Sequence, residues 1–259
     1  MQRKARMQIP HQLSRKKACD AMLRIGCCGL NFFNPRQLIG YDWKKSYGSR
    51  MEAYASLFDT IEIDSTFYKL PKIETAAKWL MEARSSSADF EFIAKAPQEI
   101  THTYRFARGS EKFLRPFLNV ADALEAKKLL FQTPASFVYS KENLSAAGKF
   151  FGMIPSKYAV IWEPRGTWLA EGKDALVDFC EKEGVILCTD PLRAKPKINQ
   201  RFYYYRLHGF GRRMVYSYRF TNADLKRLKK EMEGLGKAYI MFNNTYMYEN
   251  ALQFKKMVE

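Results

Sequence analysis

Seven short apolar runs in this chain each end on polar or charged residues, and those endings are where chemistry could be done. The clearest is Tyr203 to Phe210, YYYRLHGF, in which three tyrosines lead to Arg206, Leu207, His208 and a glycine. A strand that finishes on a guanidinium and an imidazole is poorly suited to a core, but it makes sense where the strand end opens into a site. Similar endings recur in IEID at Ile61, FIAKAP at Phe92, LLFQTP at Leu129, VIWEPR at Val160, VILCTD at Val185 and YIMFNN at Tyr239. Glu62, Glu163, Asp190 and His208 are the candidate catalytic groups. Crowded carboxylates have their pKa values driven apart, and histidine titrates near neutrality. Lys95, Arg165 and Arg206 suit a phosphate or carboxylate, the arginines as bidentate forks and the lysine as a point charge. Gln132, Asn243 and Asn244 complete the set as candidate ligand contacts.

Each of these residues also has a structural reading. A buried Glu163–Arg165 or Glu62–Lys95 pair could simply close the end of a barrel. His102 reads as a loop-bracing histidine, and Tyr68 as a packed tyrosine or a lid group. Cys27 and Cys28 read as small core residues before they read as nucleophiles. No cofactor is named by the sequence. A divalent metal held by Glu62, Glu163, Asp190 and His208 is the disfavoured alternative, because the chain has three histidines and three cations lie among those ligands. Neither a GxSxG elbow nor a GxxxxGK[ST] phosphate loop is present.

A second stretch, Pro191 to Ala223, contains no acid. It interleaves Arg193, Lys195, Lys197, Arg201, Arg206, Arg212, Arg213 and Arg219 with eight aromatic residues. Cations attract phosphates and aromatic faces stack bases, so this is a composition suited to single-stranded nucleic acid. Phe202 to Tyr205 should be strand residues and therefore unavailable. Arg212, Arg213, Tyr216 and Tyr218, in the loop just beyond the strand, are the candidate ligand contacts. The formal net charge of +16 favours anionic partners in general.

The seven runs, with a first strand at LRIGCCG (23–29), make eight strands alternating with helical patterns. Helices are expected over 50–58, 73–83, 110–124 with a bend or break at Pro116, 143–151, 173–183 stopped by Gly184, 223–233 capped by Asn222, and 251–258. This alternation calls for parallel strands and helical crossovers. The length of 259 residues suits one (β/α)8 TIM-type barrel, which gathers the strand ends on one face. GCCG is too weak a glycine fingerprint for a doubly wound nucleotide fold. Residues 1–21 are basic and aperiodic and read as an arm ahead of a barrel domain over 22–259. The five cysteines make no CxxC pair, no apolar run is long enough to span a membrane, and no apolar signal core opens the chain. A cytoplasmic protein without membrane contact is expected.

The motifs EIDSTFY at Glu62, FEFIAKAP with ITH ending at His102, FQTP at Phe131, WEPRGTW at Trp162, TDP at Thr189, YRLHG at Tyr205 and FNNT followed by Asn250-Ala251 are together specific. They resemble the YecE-like family, also called domain of unknown function 72. The resemblance implies a TIM barrel and carries no established activity. The chain departs from the family pattern at Gly26-Cys27-Cys28-Gly29, at Asp64 in place of an asparagine, and at Gly166 in place of a histidine. The expectation is a site for a phosphate-bearing or other anionic ligand, used for hydrolysis or proton transfer. The alternative is a nucleic-acid-binding protein, or a nucleic-acid-processing enzyme, that uses residues 191–223.

Overall fold

The computed structural model describes residues 22–211 and 215–259. Eight parallel strands close a barrel in chain order: β1 (Met22–Cys28), β2 (Thr60–Ile63), β3 (Glu91–Lys95), β4 (Lys128–Gln132), β5 (Ala159–Glu163), β6 (Ile186–Thr189), β7 (Tyr203–Leu207) and β8 (Lys237–Phe242). The helices are α1 (Pro35–Leu38), α2 (Trp43–Ser46), α3 (Arg50–Ala55), α4 (Ile73–Ser86), α5 (Leu114–Ala123), α6 (Lys141–Phe151), α7 (Trp168–Glu171), α8 (Lys173–Glu183), α9 (Asn222–Met232) and α10 (Met247–Val258). The expected architecture is the observed one. Among the described residues no helix is long and apolar enough to cross a membrane.

Side chains alternate along each strand, and this period of two positions the site. Outward-facing residues such as Ala94, Leu129, Phe131, Trp162, Tyr205 and Leu207 pack with the helices in the larger core. Inside the barrel, Cys28, Ile93, Leu130, Ile161, Ile186, Cys188, Tyr204, Tyr239 and Met241 form a second apolar cluster. Two residues beyond several of these, on the same face, stand Lys95, Gln132, Glu163 and Arg206. An apolar floor therefore carries a polar layer at the carboxyl ends of the strands, the face on which TIM barrels place their sites.

The helices differ from the sequence expectation at Pro116 and at the cap of α9, and the short helices α1, α2 and α7 are additions to it. Pro116 neither bends nor splits its helix. A 3-10 turn over Glu111–Phe113 precedes α5, so the proline falls in the first turn, where its missing N–H costs nothing. The cap of α9 is Thr221 and not Asn222. The Thr221 side chain accepts from the Asp224 N–H, and the Asp224 carboxylate accepts from the Thr221 N–H in return, a capping box. As expected, the β6–β7 connection has no helix, in keeping with Pro191, Pro196 and the lack of apolar periodicity there.

Gly26 holds β1 against β2. A Cβ on this residue would lie 2.0 Å from the backbone carbonyl oxygen of its register partner Thr60. Gly26→Ala should therefore force the two strands apart and cost at least ~2 kcal/mol. Urea unfolding should register this as a lower midpoint with an unchanged slope.

Candidate functional site

Arg206, on β7, stands at the centre of the polar layer and is 1% exposed. Its Nε donates to Glu62 Oε2 at 3.0 Å. Its Nη1 donates to Gln132 Oε1 at 3.1 Å and to Glu163 Oε2 at 2.5 Å. Its Nη2 donates to Glu62 Oε1 at 2.8 Å and to Cys28 Sγ at 3.7 Å. Those bonds use all five N–H groups of a guanidinium. They also tie together the ends of β1, β2, β4, β5 and β7. Tyr204, two residues earlier on the same strand face, donates its hydroxyl to Glu62 Oε2 at 2.7 Å.

The Glu62 carboxyl lies beside Asp64, and the two share the cations around them. Burial pushes Glu62 up to about 8 against the pull of Arg206, and the nearby Asp64 carboxylate raises it further. Asp64 stays low despite its burial, because Lys95 at 3.3 Å and Arg206 at 3.6 Å favour its charged form. The Glu62–Lys95 pair considered from sequence is therefore not the one formed; Lys95 pairs with Asp64. Its ammonium also sits 4.6 Å from the centre of the Phe67 ring.

A cavity of about 420 Å³ opens beside this layer, above β5, β6 and β7. Glu163, Arg165, Asp190, Arg193, His208 and Tyr216 line it, with Arg206 reaching it from below. The loop after β5 puts Arg165 there. Gly166 makes this turn with φ +84°, and a Cβ on it would strike the Ala135 carbonyl at 2.3 Å, so the loop lies flat on its neighbour. Arg165 donates from Nε to Glu163 Oε1 at 3.0 Å and from Nη2 to His208 Nε2 at 3.2 Å and to the Tyr216 hydroxyl at 3.4 Å. Among the described residues its Nη1 has no partner. Burial would raise Glu163, but Arg206 and Arg165 hold it well below the usual carboxylate range.

The two groups expected to move protons are shifted in opposite senses. Burial pushes His208 down to about 3 against the pull of Glu163, and Arg206 and Arg165 lower it further. His208 is thus a neutral acceptor for Arg165 at neutral pH, and the expectation that it titrates near neutrality is corrected. Burial lifts Asp190 up to about 6, although it accepts from the Leu192 N–H and lies 3.8 Å from Arg193. Asp190 is the titrating group of the cavity.

Several expected contacts lie elsewhere. The buried Asn244 donates to the Tyr218 carbonyl and to Asn250, bracing the loop before α9, and it does not line the cavity. Asn243 also stands outside the lining, and its N–H continues the ladder to Leu207. Arg212 and Arg213, like residues 1–21, lie outside the described residues. In the aromatic stretch, Phe202, Tyr204, Tyr205 and Phe220 are buried, and Phe210 packs edge-on to Tyr218, leaving Tyr216 exposed. Burial raises Cys27 and Cys28 well above their ordinary range, so both are inert core thiols. The donor set considered for a metal does not suit a cation, because Arg206 grips both oxygens of Glu62 and Arg165 caps His208. Sequence reasoning passed over Arg193 and Tyr204 as site residues. Arg193 belongs to the acid-free stretch, while Tyr204 reads as an ordinary strand tyrosine.

The family model for "Protein of unknown function DUF72" matches residues 24–259. The chain belongs to this family. The UPF0759 protein YunF of Bacillus subtilis is 27% identical over 255 residues, covering 85% of this chain and 89% of YunF. Among solved structures, the DUF72 family protein TM1631 of Thermotoga maritima superposes with a TM-score of 0.69 at 24% identity, covering 92% of this chain and 99% of that one. The DUF72 family protein EF0366 of Enterococcus faecalis gives 0.72 at 19% identity, with 93% and 98% covered. At these identities the structures share the barrel fold with this DUF72 chain, and the likeness carries no activity with it.

Two measurements probe the energetics of the site. Arg206→Met leaves the charged Glu163 carboxylate buried without its central cation and should cost about 3–5 kcal/mol at neutral pH. The loss should shrink in acid as Glu163 takes up a proton, which urea titrations at two pH values would reveal. Asp190→Asn removes a carboxylate whose native pKa of about 6 lies above the ordinary value of 3.8. The wild type binds that proton more tightly when folded, so its stability rises as pH falls through 6 towards 4. The variant should therefore be more stable by about 1–3 kcal/mol at pH 7.5, with the gap closing by about pH 4.

Proposed function

We propose that this DUF72 barrel is an enzyme that binds a small anionic substrate, bearing a phosphate or a carboxylate, in the cavity above β5, β6 and β7. Asp190 transfers a proton there as general base. The observation that carries the reading is the placement of Arg165. Its Nη1 is unpartnered among the described residues and its other nitrogens are held, in a cavity that also contains the Asp190 carboxyl, raised by burial to about 6. A guanidinium fixed on three sides is organised in advance to receive an anion. Glu163 and His208 fix its plane, and Arg206 sets the field beneath it. Arg193 and Tyr216 stand at the rim. Proton transfer fits better than hydrolysis, because the cavity lining holds one carboxyl shifted towards neutrality, Asp190, while Glu62 is sealed beneath it by Arg206 and Tyr204. The nucleic-acid reading loses most of its stacking surface, because the aromatic residues between 202 and 220 are largely packed inside the fold.

The test is a thermal-shift screen of phosphorylated and carboxylated metabolites beside their uncharged analogues, followed by turnover assays on the hits. Anionic compounds should raise the melting temperature. Arg165→Met should weaken binding at least about tenfold. Asp190→Asn should keep binding and lose turnover, and wild-type kcat/KM should climb as pH rises through about 6. Uncharged analogues binding equally well, with Arg165→Met unaffected, would rule the reading out.

A further inference from the structure

The other side of the mouth, on the loops after β2 and β3, holds charged groups that the Asp190 cavity does not use. The chain leaves β3 through a π-helical turn over Glu99–Thr103, then passes through two consecutive non-glycine residues in the left-handed region, Arg105 at φ 50° and Phe106 at φ 62°. Both features are uncommon, and both concentrate where a loop is held for a purpose. The anchor is Phe106. Its ring is buried among Phe131, Phe137, Phe150, Phe151 and Trp162, and that packing offsets the strain. The conformation it enforces presents His102 and Arg105 at the mouth.

His102 packs edge-on to the Phe67 ring at 4.9 Å, and Lys95 lies over the same ring at 4.6 Å. Thr101 Oγ1 engages His102 Nδ1 at 2.9 Å, which leaves Nε2 without a partner among the described residues. Arg105 turns back to the His102 carbonyl at 3.4 Å and reaches Ser136 on the next loop at 3.2 Å, with no carboxylate partner among the described residues. After burial, the groups that act on the His102 imidazole are Lys95, Arg165 and Arg105, all cations, and they lower its pKa. Lys95 is paired with Asp64, but among the described residues Arg105 has no carboxylate partner, so the corner carries net positive charge. It borders the Asp190 cavity, because Arg105 reaches Ser136, the neighbour of the cavity-lining Ala135.

We propose that Lys95, His102 and Arg105 form a second anion subsite, so that the substrate carries two anionic groups, one held here and one by Arg165. A phosphate at the corner would accept from His102 Nε2–H, from Arg105 and from Lys95, and its charge would draw a proton onto the imidazole. The inference rests on the anionic-substrate reading above and extends it from one charged group to two.

The probe is inorganic phosphate, titrated calorimetrically into the full chain at low salt, with the His102 imidazole signals followed by NMR. Two equivalents are expected. The double variant His102→Gln, Arg105→Gln should lose one of them, at least about tenfold in affinity, at an unchanged melting temperature. Arg165→Met should lose the other. Phosphate should move the His102 signals towards the protonated form. A double variant that binds both equivalents as the wild type does, with His102 unmoved by phosphate, would overturn the subsite. A single wild-type equivalent that depends on His102 and Arg105 but not on Arg165 would keep the subsite and sink the Arg165 reading instead.

Discussion

A guanidinium with no contact to water has to spend every N–H on the protein or destabilise it. Arg206 meets that demand, and much of the mouth follows from it. Its two gripped carboxylates, Glu62 and Glu163, belong to β2 and β5, on opposite parts of the barrel wall. Glu62 is itself steadied by Tyr204, and Glu163 by Arg165. One buried cation thus fixes the relative positions of strands that do not pair with one another. Breaking such a network is costly because the partners are left charged in a medium that cannot solvate them.

The consequence is a division of labour by depth. In the layer around Arg206 every N–H of the guanidinium is already spent on the protein, so the arginine itself has no donor left for a ligand. The groups one step nearer solvent are only partly satisfied: among the described residues Arg165 keeps an open nitrogen, Asp190 is lifted by burial with a single close cation, and His102 and Arg105 lie beside the Lys95–Asp64 pair without an acid of their own. The closed layer gives the open one its rigidity, and preorganisation of this kind is what turns a polar pocket into a site.

The barrel was legible because parallel strands buried on both faces read as short apolar runs, and because the period of two put Lys95, Gln132, Glu163 and Arg206 in phase with Ile93, Leu130, Ile161 and Tyr204. Gly184 and Thr221 show the two sides of local reading. A glycine after a charged helix is an unambiguous stop, whereas two adjacent capping residues, Thr221 and Asn222, cannot be ranked until the backbone shows whose side chain faces the N–H of Asp224. Pro116 misled for a related reason, since a short 3-10 turn ahead of it shifted the helix start by a few residues. Asn244 has the composition of a ligand contact, but strand ends offer two faces and it took the structural one.

The order of residues along the chain thus determined the architecture and the identity of the polar strand ends, because hydrophobic periodicity is a local property that survives without any knowledge of contacts. What it left open was how those ends divide among partners. Lys95 could have met Glu62 or Asp64; His208 could have been a base or a neutral acceptor; Arg206 could have faced a ligand or the core. Each choice depends on distances between segments far apart in sequence and on how completely water is excluded from them. Electrostatic energies vary steeply with both, so only the closed barrel could decide them.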